Sequence, residues 1–154
     1  MEVSGFHPTN VLAIRHVGSY LDCSLAFKTL MDFVLQNKIK PLRFIGLCYD
    51  DPDKTKDCRY DACIEIDELE VSKNLALLKG CKNIIRMDTI GGSSFIKIRH
   101  IGSYTKLYDV YTSIYSQRNY NFNFLRPSIE VYLNSSNEVN EDSLETEVYV
   151  PIIK

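Results

Sequence analysis

The sequence predicts an α+β fold made of two tandem βαββ units, and two observations predict it. First, the heptapeptide Ile14–Tyr20 recurs as Ile98–Tyr104 at an offset of 84 residues, with six of its seven positions identical. So close a match at so long an offset indicates an internal duplication. Second, the same offset aligns the later apolar segments of the two halves without a gap. It places Ile45 on Ile129, Leu47 on Val131, Asp50 on Asn134 and Ile66 on Val150.

Each unit begins with a strand that leads into a helix. Apolar and polar side chains alternate over Val11–Val17 and Phe95–Ile101, which predicts half-buried strands. A Gly-Ser pair then turns the chain, and Ser19 and Ser103 are the predicted helix N-caps. Apolar residues at helical spacing follow each cap. The predicted helices run over Leu21–Gln36 and Thr105–Gln117.

Two further strands close each unit. They are predicted at Phe44–Tyr49 and Tyr60–Ile66 in the first half, and at Ser128–Leu133 and Thr146–Ile152 in the second. An extra strand at Ile84–Thr89 is expected to pair with the strand that follows Gly91-Gly92. Residues Asp67–Gly80 are expected to link the repeats, with some helix at Leu75–Leu78.

These elements predict one domain over residues 1–154, with repeat one at about 1–66, the linker at 67–80 and repeat two at about 81–154. The expected architecture is a curved antiparallel sheet with two main helices and pseudo-two-fold symmetry. The seam between the two halves is a natural place for a concave binding site.

Composition limits the classes of function. The formal net charge is −2 and the pI is about 5.9, whereas domains that bind phosphate backbones carry a basic excess, so we expect no direct nucleic-acid binding. No apolar run approaches the length of a membrane span, and the N-terminus lacks the features of a signal peptide, so we expect no membrane association and a cytoplasmic location.

Neither a metal nor a cofactor is predicted. The five cysteines are odd in number and form no CxxC motif, which predicts reduced thiols rather than a disulfide framework or a zinc site. His16 and His100 end equivalent strands, and we expect them to form structural hydrogen bonds rather than to act in catalysis. The acidic turn Asp50–Asp57 is expected to be solvated, because a calcium loop needs denser ligands and a closing glutamate.

Two Glu-x-Tyr pairs are the candidate ligand site. Glu130 and Tyr132 share one face of a predicted strand, and Glu147 and Tyr149 share a face of the next. If the two pairs lie on the same face, that face carries two carboxylates and two aromatic rings. A buried carboxylate is costly, a lipophilic cation would offset that cost, and the rings would add roughly 0.5–2 kcal/mol of cation–π attraction. The alternative is that this face is the solvated side of the sheet.

Four more tyrosines, two from each half, are candidates for the walls of the site. In the second half, tyrosines 104, 108, 111 and 115 lie on one face of the predicted helix, and of these Tyr108 or Tyr111 is expected to border the pocket. Tyr49 and Tyr60 from the first half are expected to supply the opposite wall. The alternative for the helix tyrosines is packing in the core and at its rim.

The order of the motifs resembles the GyrI-like small-molecule-binding domain family over essentially the whole chain. The motifs are Arg15–Tyr20, Tyr49–Asp53 with Cys58–Asp61, Gly91-Gly92, Pro127–Asn134 and Glu147–Ile152. The family includes stand-alone gyrase-inhibitory proteins of the SbmC type and the effector-binding halves of AraC- and MerR-type transcription regulators such as BmrR. The resemblance implies a tandem βαββ effector-domain fold, which agrees with the duplication found above.

The resemblance also implies a ligand and an anchor. Glu130 matches the family glutamate that faces the pocket and attracts lipophilic cations, and Tyr149 matches a tyrosine that lines the same pocket. No helix-turn-helix segment is present in the sequence, so we expect a stand-alone member.

The sequence is compatible with three functions. The first is a ligand-binding module that acts as a sensor, a multidrug-sequestering protein or a modulator of a protein partner such as DNA gyrase. The second is a hydrolase of reactive small molecules, a reaction that the resemblance makes possible, with Glu130 or Glu147 as the general acid or base. The third is the effector-binding half of a transcription regulator.

Overall fold

The computed structural model describes residues 1–79 and 84–154, and the described elements follow the predicted βαββ order twice. Within these ranges the chain forms seven strands, three α-helices and three short 3-10 turns. The strands are β1 (Glu2–Val17), β2 (Phe44–Cys48), β3 (Arg59–Glu65), β4 (Ile85–Ile101), β5 (Asn121–Phe122), β6 (Ser128–Tyr132) and β7 (Glu145–Ile153). The helices are α1 (Ser24–Gln36), α2 (Glu68–Lys79) and α3 (Leu107–Tyr115).

The predicted α+β fold is confirmed, with two differences at the helices. Ser19 and Ser103 do cap, as predicted, but each caps a 3-10 turn that precedes α1 or α3 rather than the α-helix itself. The linker contains a longer helix than expected, because α2 begins at Glu68. Gly80 and Cys81 lie outside the described residues. None of the helices in the described ranges is long and apolar enough to span a bilayer.

The strands pair into one continuous antiparallel sheet. Their order is β4-β1-β3-β2-β6-β7-β5, and β4 also pairs with β7, so six strands close into a ring with β5 at the margin of β7. One buried cluster draws side chains from all six strands of the ring and therefore fills its interior, with Phe6, Ile45, Phe95, Ile129 and Tyr149 among its members. The other face of the sheet packs against α1 in the first half and α3 in the second.

The predicted pairing of Ile84–Thr89 with the strand after Gly91-Gly92 is wrong. β4 runs without interruption from Ile85 to Ile101, and both of its parts pair with β1. Gly91 and Gly92 have φ values of 110° and 127°, a region that favours glycine, and the pairing with β1 shifts register beside them. The two glycines thus bend one long strand, as glycines within strands often do, and do not turn a hairpin.

The two halves are related by a pseudo-two-fold axis that passes between β2 and β6. Gly46 and Glu130, which the 84-residue offset relates, lie directly opposite each other in this pair. The offset does not hold to the end, however. Arg15 pairs with Asp61 in the first half, and the equivalent Arg99 pairs with Glu147, so the last strand follows an offset of 86. The alignment of Ile66 with Val150 is therefore wrong, because the connection at 133–144 is two residues longer than that at 49–58.

Candidate ligand-binding site

Glu130 lies at the centre of the molecule, where the two halves meet. It occupies the middle of β6 on the helix-facing side of the sheet, and only 6% of its surface is exposed. Three side chains donate hydrogen bonds to its carboxylate: Tyr111 Oη to Oε2 at 2.6 Å, Tyr132 Oη to Oε1 at 2.7 Å and Cys48 Sγ to Oε2 at 3.5 Å. All three donors are uncharged. Within the described residues no lysine, arginine or histidine forms a salt bridge with Glu130.

A third phenol, that of Tyr60, extends this hydrogen-bond chain into the first half. The Tyr60 and Tyr132 hydroxyl oxygens are 2.6 Å apart. Since the single proton of Tyr132 is donated to Glu130, Tyr132 accepts the hydrogen bond from Tyr60. The order of donation is therefore Tyr60 to Tyr132 to Glu130.

Gly46 provides the space in which these phenols meet. A methyl group at its Cβ position would lie 2.1 Å from the Tyr60 hydroxyl and 2.5 Å from that of Tyr132. The pseudo-symmetric positions thus carry opposite features: the second half supplies the carboxylate, and the first half supplies a residue with no side chain. The seam is therefore asymmetric at its centre.

Aromatic rings from both halves surround the hydrogen-bonded centre. Phe27 of α1 packs edge-on against Tyr132 and Tyr60, with ring centroids 5.9 and 6.2 Å apart. Tyr104 lies 5.6 Å from Tyr132, and its repeat equivalent Tyr20 lies 5.9 Å from Tyr60. Such aromatic pairs stabilise the surrounding wall beyond the area they bury. The result is a carboxylate inside an aromatic box.

The groups around the carboxylate remain protonated at neutral pH. Burial raises the pKa of Tyr111 well above its ordinary value, and the neighbouring Glu130 raises it further. The same two causes raise the pKa values of Tyr132 and of the Cys48 thiol. Because only a thiolate is a strong nucleophile, Cys48 is held in an unreactive form. The phenols and the thiol therefore act as neutral hydrogen-bond donors.

The structure brings Tyr60, Tyr111 and Tyr132 together with Glu130, but it separates the second Glu-x-Tyr pair from them. Residues directly opposite in an antiparallel pair share a face, and Glu130 lies opposite Val148. Glu147 and Tyr149 consequently lie on the other face, so the condition that the two pairs share a face is not met. Tyr149 packs inside the ring, 4.9 Å from Phe6, and Glu147 forms a salt bridge with Lys97 at 3.0 Å.

Two other predicted wall residues also lie away from Glu130. Tyr49 donates a hydrogen bond to the buried Asp61 at 2.7 Å, on the opposite face of the sheet. Tyr108 is 50% exposed and donates to Asp53 at 2.7 Å, so it joins α3 to the β2–β3 connection at the surface. The helical spacing of the tyrosines indicated one face, but only part of that face points inward.

Sequence reasoning did not assign Gly46, Cys48, Phe27, Tyr20 or Tyr104 to the site. A signal for three of them was present in the duplication. Gly46 is the repeat equivalent of Glu130, and Tyr20 and Tyr104 are the last residues of the repeated heptapeptide. The two histidines behave as expected, since a ring nitrogen of His16 and of His100 lies 3.1 and 3.0 Å from the carbonyls of Ser19 and Ser103.

The chain is similar in sequence to a known domain family and to a named bacterial protein. The chain matches the GyrI-like small-molecule-binding domain over residues 2–153. It is 26% identical, over 98% of its own length and 96% of the relative's, to a protein of Citrobacter koseri named DNA gyrase inhibitor.

Solved structures of similar fold are more distant in sequence. The EcmrR C-terminal domain superposes with a TM-score of 0.73 at 14% identity, covering 99% of this chain and 96% of that one. EcmrR in its DNA complex gives a TM-score of 0.80 at 13% identity, and there the chain covers 99% of its own length but 57% of the relative's. A hydrolase from Listeria innocua gives 0.64 at 12%, covering 99% and 91%. These similarities agree with an effector-domain fold. By its sequence match over nearly the whole length, the chain belongs to the GyrI-like small-molecule-binding domain family.

Proposed function

We propose that the protein binds small lipophilic cations in the aromatic box between its two halves, with Glu130 as the anchor. The observation that carries the proposal is a buried carboxylate that is hydrogen-bonded only by neutral donors in the part of the chain that the structure describes. A ligand cation would supply the counter-charge that this carboxylate lacks among those residues.

The energetics favour this class of ligand. Burying a carboxylate without a counter-charge is unfavourable, and hydrogen bonds from neutral phenols offset only part of that cost. A ligand cation would interact with the charge directly, and the faces of nearby rings add roughly 0.5–2 kcal/mol. Tyr132 and Tyr104 provide such rings beside Glu130. Flat aromatic walls also accept ligands of different shapes, which suits broad specificity.

Binding requires local rearrangement, because protein groups occupy the seam in this structure. The Tyr111 hydroxyl donates a hydrogen bond to Oε2 of Glu130 and so occupies the position at which the ligand's positive charge is expected. We expect the ligand to displace this phenol, while Tyr132 keeps its hydrogen bond to Oε1. The free energy of ligand binding is therefore reduced by the loss of one buried hydrogen bond, on the order of 1 kcal/mol.

In the cell the protein would act as a sensor, as a sequestering protein or as a modulator of a partner. The relative named DNA gyrase inhibitor makes gyrase the first partner to examine. The net charge of −2 favours an effect through protein contact rather than through direct contact with DNA.

The proposal predicts that a Glu130→Gln variant loses stabilisation by lipophilic cations. At about 100 times the Kd, tetraphenylphosphonium should stabilise the wild type by about 2.7 kcal/mol, which raises Tm by roughly 5–11 °C. Thermal-shift measurements should show this rise for the wild type and little or none for Glu130→Gln, which keeps the shape of the side chain but removes its charge.

Glu147→Gln is the matched control, because Glu147 lies on the opposite face of the sheet and pairs with Lys97. It should respond to the cation as the wild type does. Equal shifts in the wild type and Glu130→Gln would contradict the role of Glu130 as the anchor.

A second candidate function is hydrolysis of a reactive small molecule. The 2.6 Å hydrogen bond between Tyr111 and Glu130 favours it, because the pair places a proton donor and an acceptor side by side. Turnover separates the two functions: a binder is saturated by its ligand, whereas a hydrolase consumes it. The third candidate, an effector half of a regulator, would be supported by a DNA-binding domain encoded in frame upstream.

A further inference from the structure

A second recess lies on the other side of the sheet from Glu130. Its volume is about 160 Å³, and it is lined largely by apolar side chains, including Leu47, Ile90, Phe95 and Ile129. These four side chains are at least nine-tenths buried and belong to the cluster inside the ring of strands. Leu47 and Ile129 directly adjoin Cys48 and Glu130 in sequence, so the two sites use alternate residues of the same strands.

The charged residue at this recess is an arginine. Arg126 lines the recess and is exposed to solvent, so it lies at the open end. Its guanidinium stacks 5.2 Å above the centre of the Phe95 ring, and Nη2 donates to the Gly91 carbonyl at 2.7 Å. A guanidinium has five N–H groups. Among the described residues no carboxylate lies within salt-bridge distance of Arg126, and none lines the recess.

The walls of the recess are firmly held. Gly91 has a positive φ, and a side chain there would lie 2.7 Å from the Phe6 carbonyl, so the bend beside Arg126 requires glycine. Tyr49, another lining residue, is fixed by its hydrogen bond to Asp61 and by Arg15, whose guanidinium lies 4.8 Å from the ring centre. A site with such fixed walls loses little entropy when a ligand binds.

Size and charge together define the ligand class. An apolar cavity of about 150 Å³ is large enough to hold benzene, so this recess accommodates one aromatic ring. A carboxylate on that ring would reach the guanidinium at the open end and form charge-assisted hydrogen bonds with it. We propose that the recess is a binding site for small aromatic carboxylates, with the ring against Phe95 and Ile129 and the carboxylate on Arg126. The site is independent of the proposed cation site, and it prefers ligands of the opposite charge.

The test is a titration of the full chain with sodium benzoate, followed by NMR of its isoleucine and leucine methyl groups. Benzoate should shift the methyl signals of Ile129, Ile90 and Leu47 with a Kd in the millimolar range. Benzamide, which has a similar shape but no charge, should bind the wild type about tenfold more weakly, because it lacks the ionic hydrogen bond.

Two variants assign the effect to Arg126. Arg126→Gln should weaken benzoate binding about tenfold while the methyl spectrum of the free protein stays close to that of the wild type. Arg118→Gln removes another exposed arginine, outside the recess, and should leave binding unchanged. The proposal is overturned if benzoate leaves the three methyl groups unmoved, if its effects centre instead on the methyl groups of Leu107 and Ile114 on the helix-facing side of the sheet, or if benzamide binds as well as benzoate.

Discussion

Replacing Gly46 with alanine is expected to lower the free energy of unfolding by about 3 kcal/mol, because the centre of the seam has no room for a methyl group. The added carbon would lie 2.1 Å from the Tyr60 hydroxyl and 2.5 Å from the Tyr132 hydroxyl. Neither phenol moves freely, since the two are bonded to each other and Tyr132 is bonded to Glu130. The substitution must therefore break this hydrogen-bond chain or shift a strand.

Thermal denaturation measures the effect directly. A loss of about 3 kcal/mol in a domain of this size lowers Tm by roughly 6–12 °C. Gly5→Ala is the control, because its new methyl group would meet only the Gly92 carbonyl, at an ordinary contact distance of 3.5 Å. If Gly46→Ala were as stable as Gly5→Ala, the tyrosines would not be held over Gly46 as described.

Replacing Asp61 with asparagine is expected to cost about 2 kcal/mol at neutral pH. The carboxylate is fully buried and binds Arg15, Arg86 and Tyr49, so it joins β1, β3 and β4. Breaking a buried ion pair by removing one partner costs about 3–5 kcal/mol. The expected value is smaller here because the Arg15 and Arg86 side chains are 40% and 37% exposed, and water takes over part of their solvation.

The effect of Asp61→Asn should depend on pH in a defined direction. Burial by itself raises the pKa of Asp61, but hydrogen bonds from Arg15, Arg86 and Tyr49 outweigh it and hold the pKa below its ordinary value. The carboxylate therefore stabilises the fold fully above the unfolded pKa of about 3.9, and this contribution is lost as pH falls through the folded pKa.

Urea denaturation at pH 7 and at progressively lower pH tests this dependence. The difference in unfolding free energy between the wild type and Asp61→Asn should shrink as the pH falls below about 4. Asp57→Asn, in the exposed part of the β2–β3 connection, should change little at either pH. A difference for Asp61→Asn that stayed constant with pH would mean that the charge of Asp61 does not provide the stabilisation.

The duplication made the fold predictable from the sequence. A seven-residue repeat, with strand and helix periodicities that match after it, specifies two similar units, and two such units can bury their apolar faces against each other. The same repeat located the seam, and the family resemblance pointed to Glu130 within it. Tyr60, Tyr111 and Tyr132 lie there because they share its face or project onto it from α3.

The features that could not be predicted depend on contacts between distant segments. Whether Glu147 shares a face with Glu130 is decided by the register of β6 against β7, which the twelve-residue connection between them sets. The alternation of apolar and polar residues within each strand carries no information about this register. Likewise, Gly91-Gly92 resembles a hairpin turn locally, and only the pairing of β4 with β1 along its length makes it a bend.

The role of Glu130 as the anchor depends most on where a cation binds. The most direct measurement is the set of intermolecular NOEs between bound tetraphenylphosphonium and the aromatic protons of the labelled protein. We predict NOEs from the ligand's phenyl groups to the rings of Tyr111, Tyr132 and Tyr104, on the helix-facing side of the sheet. NOEs to Phe95 or Tyr149, inside the ring of strands, in place of these would contradict the account.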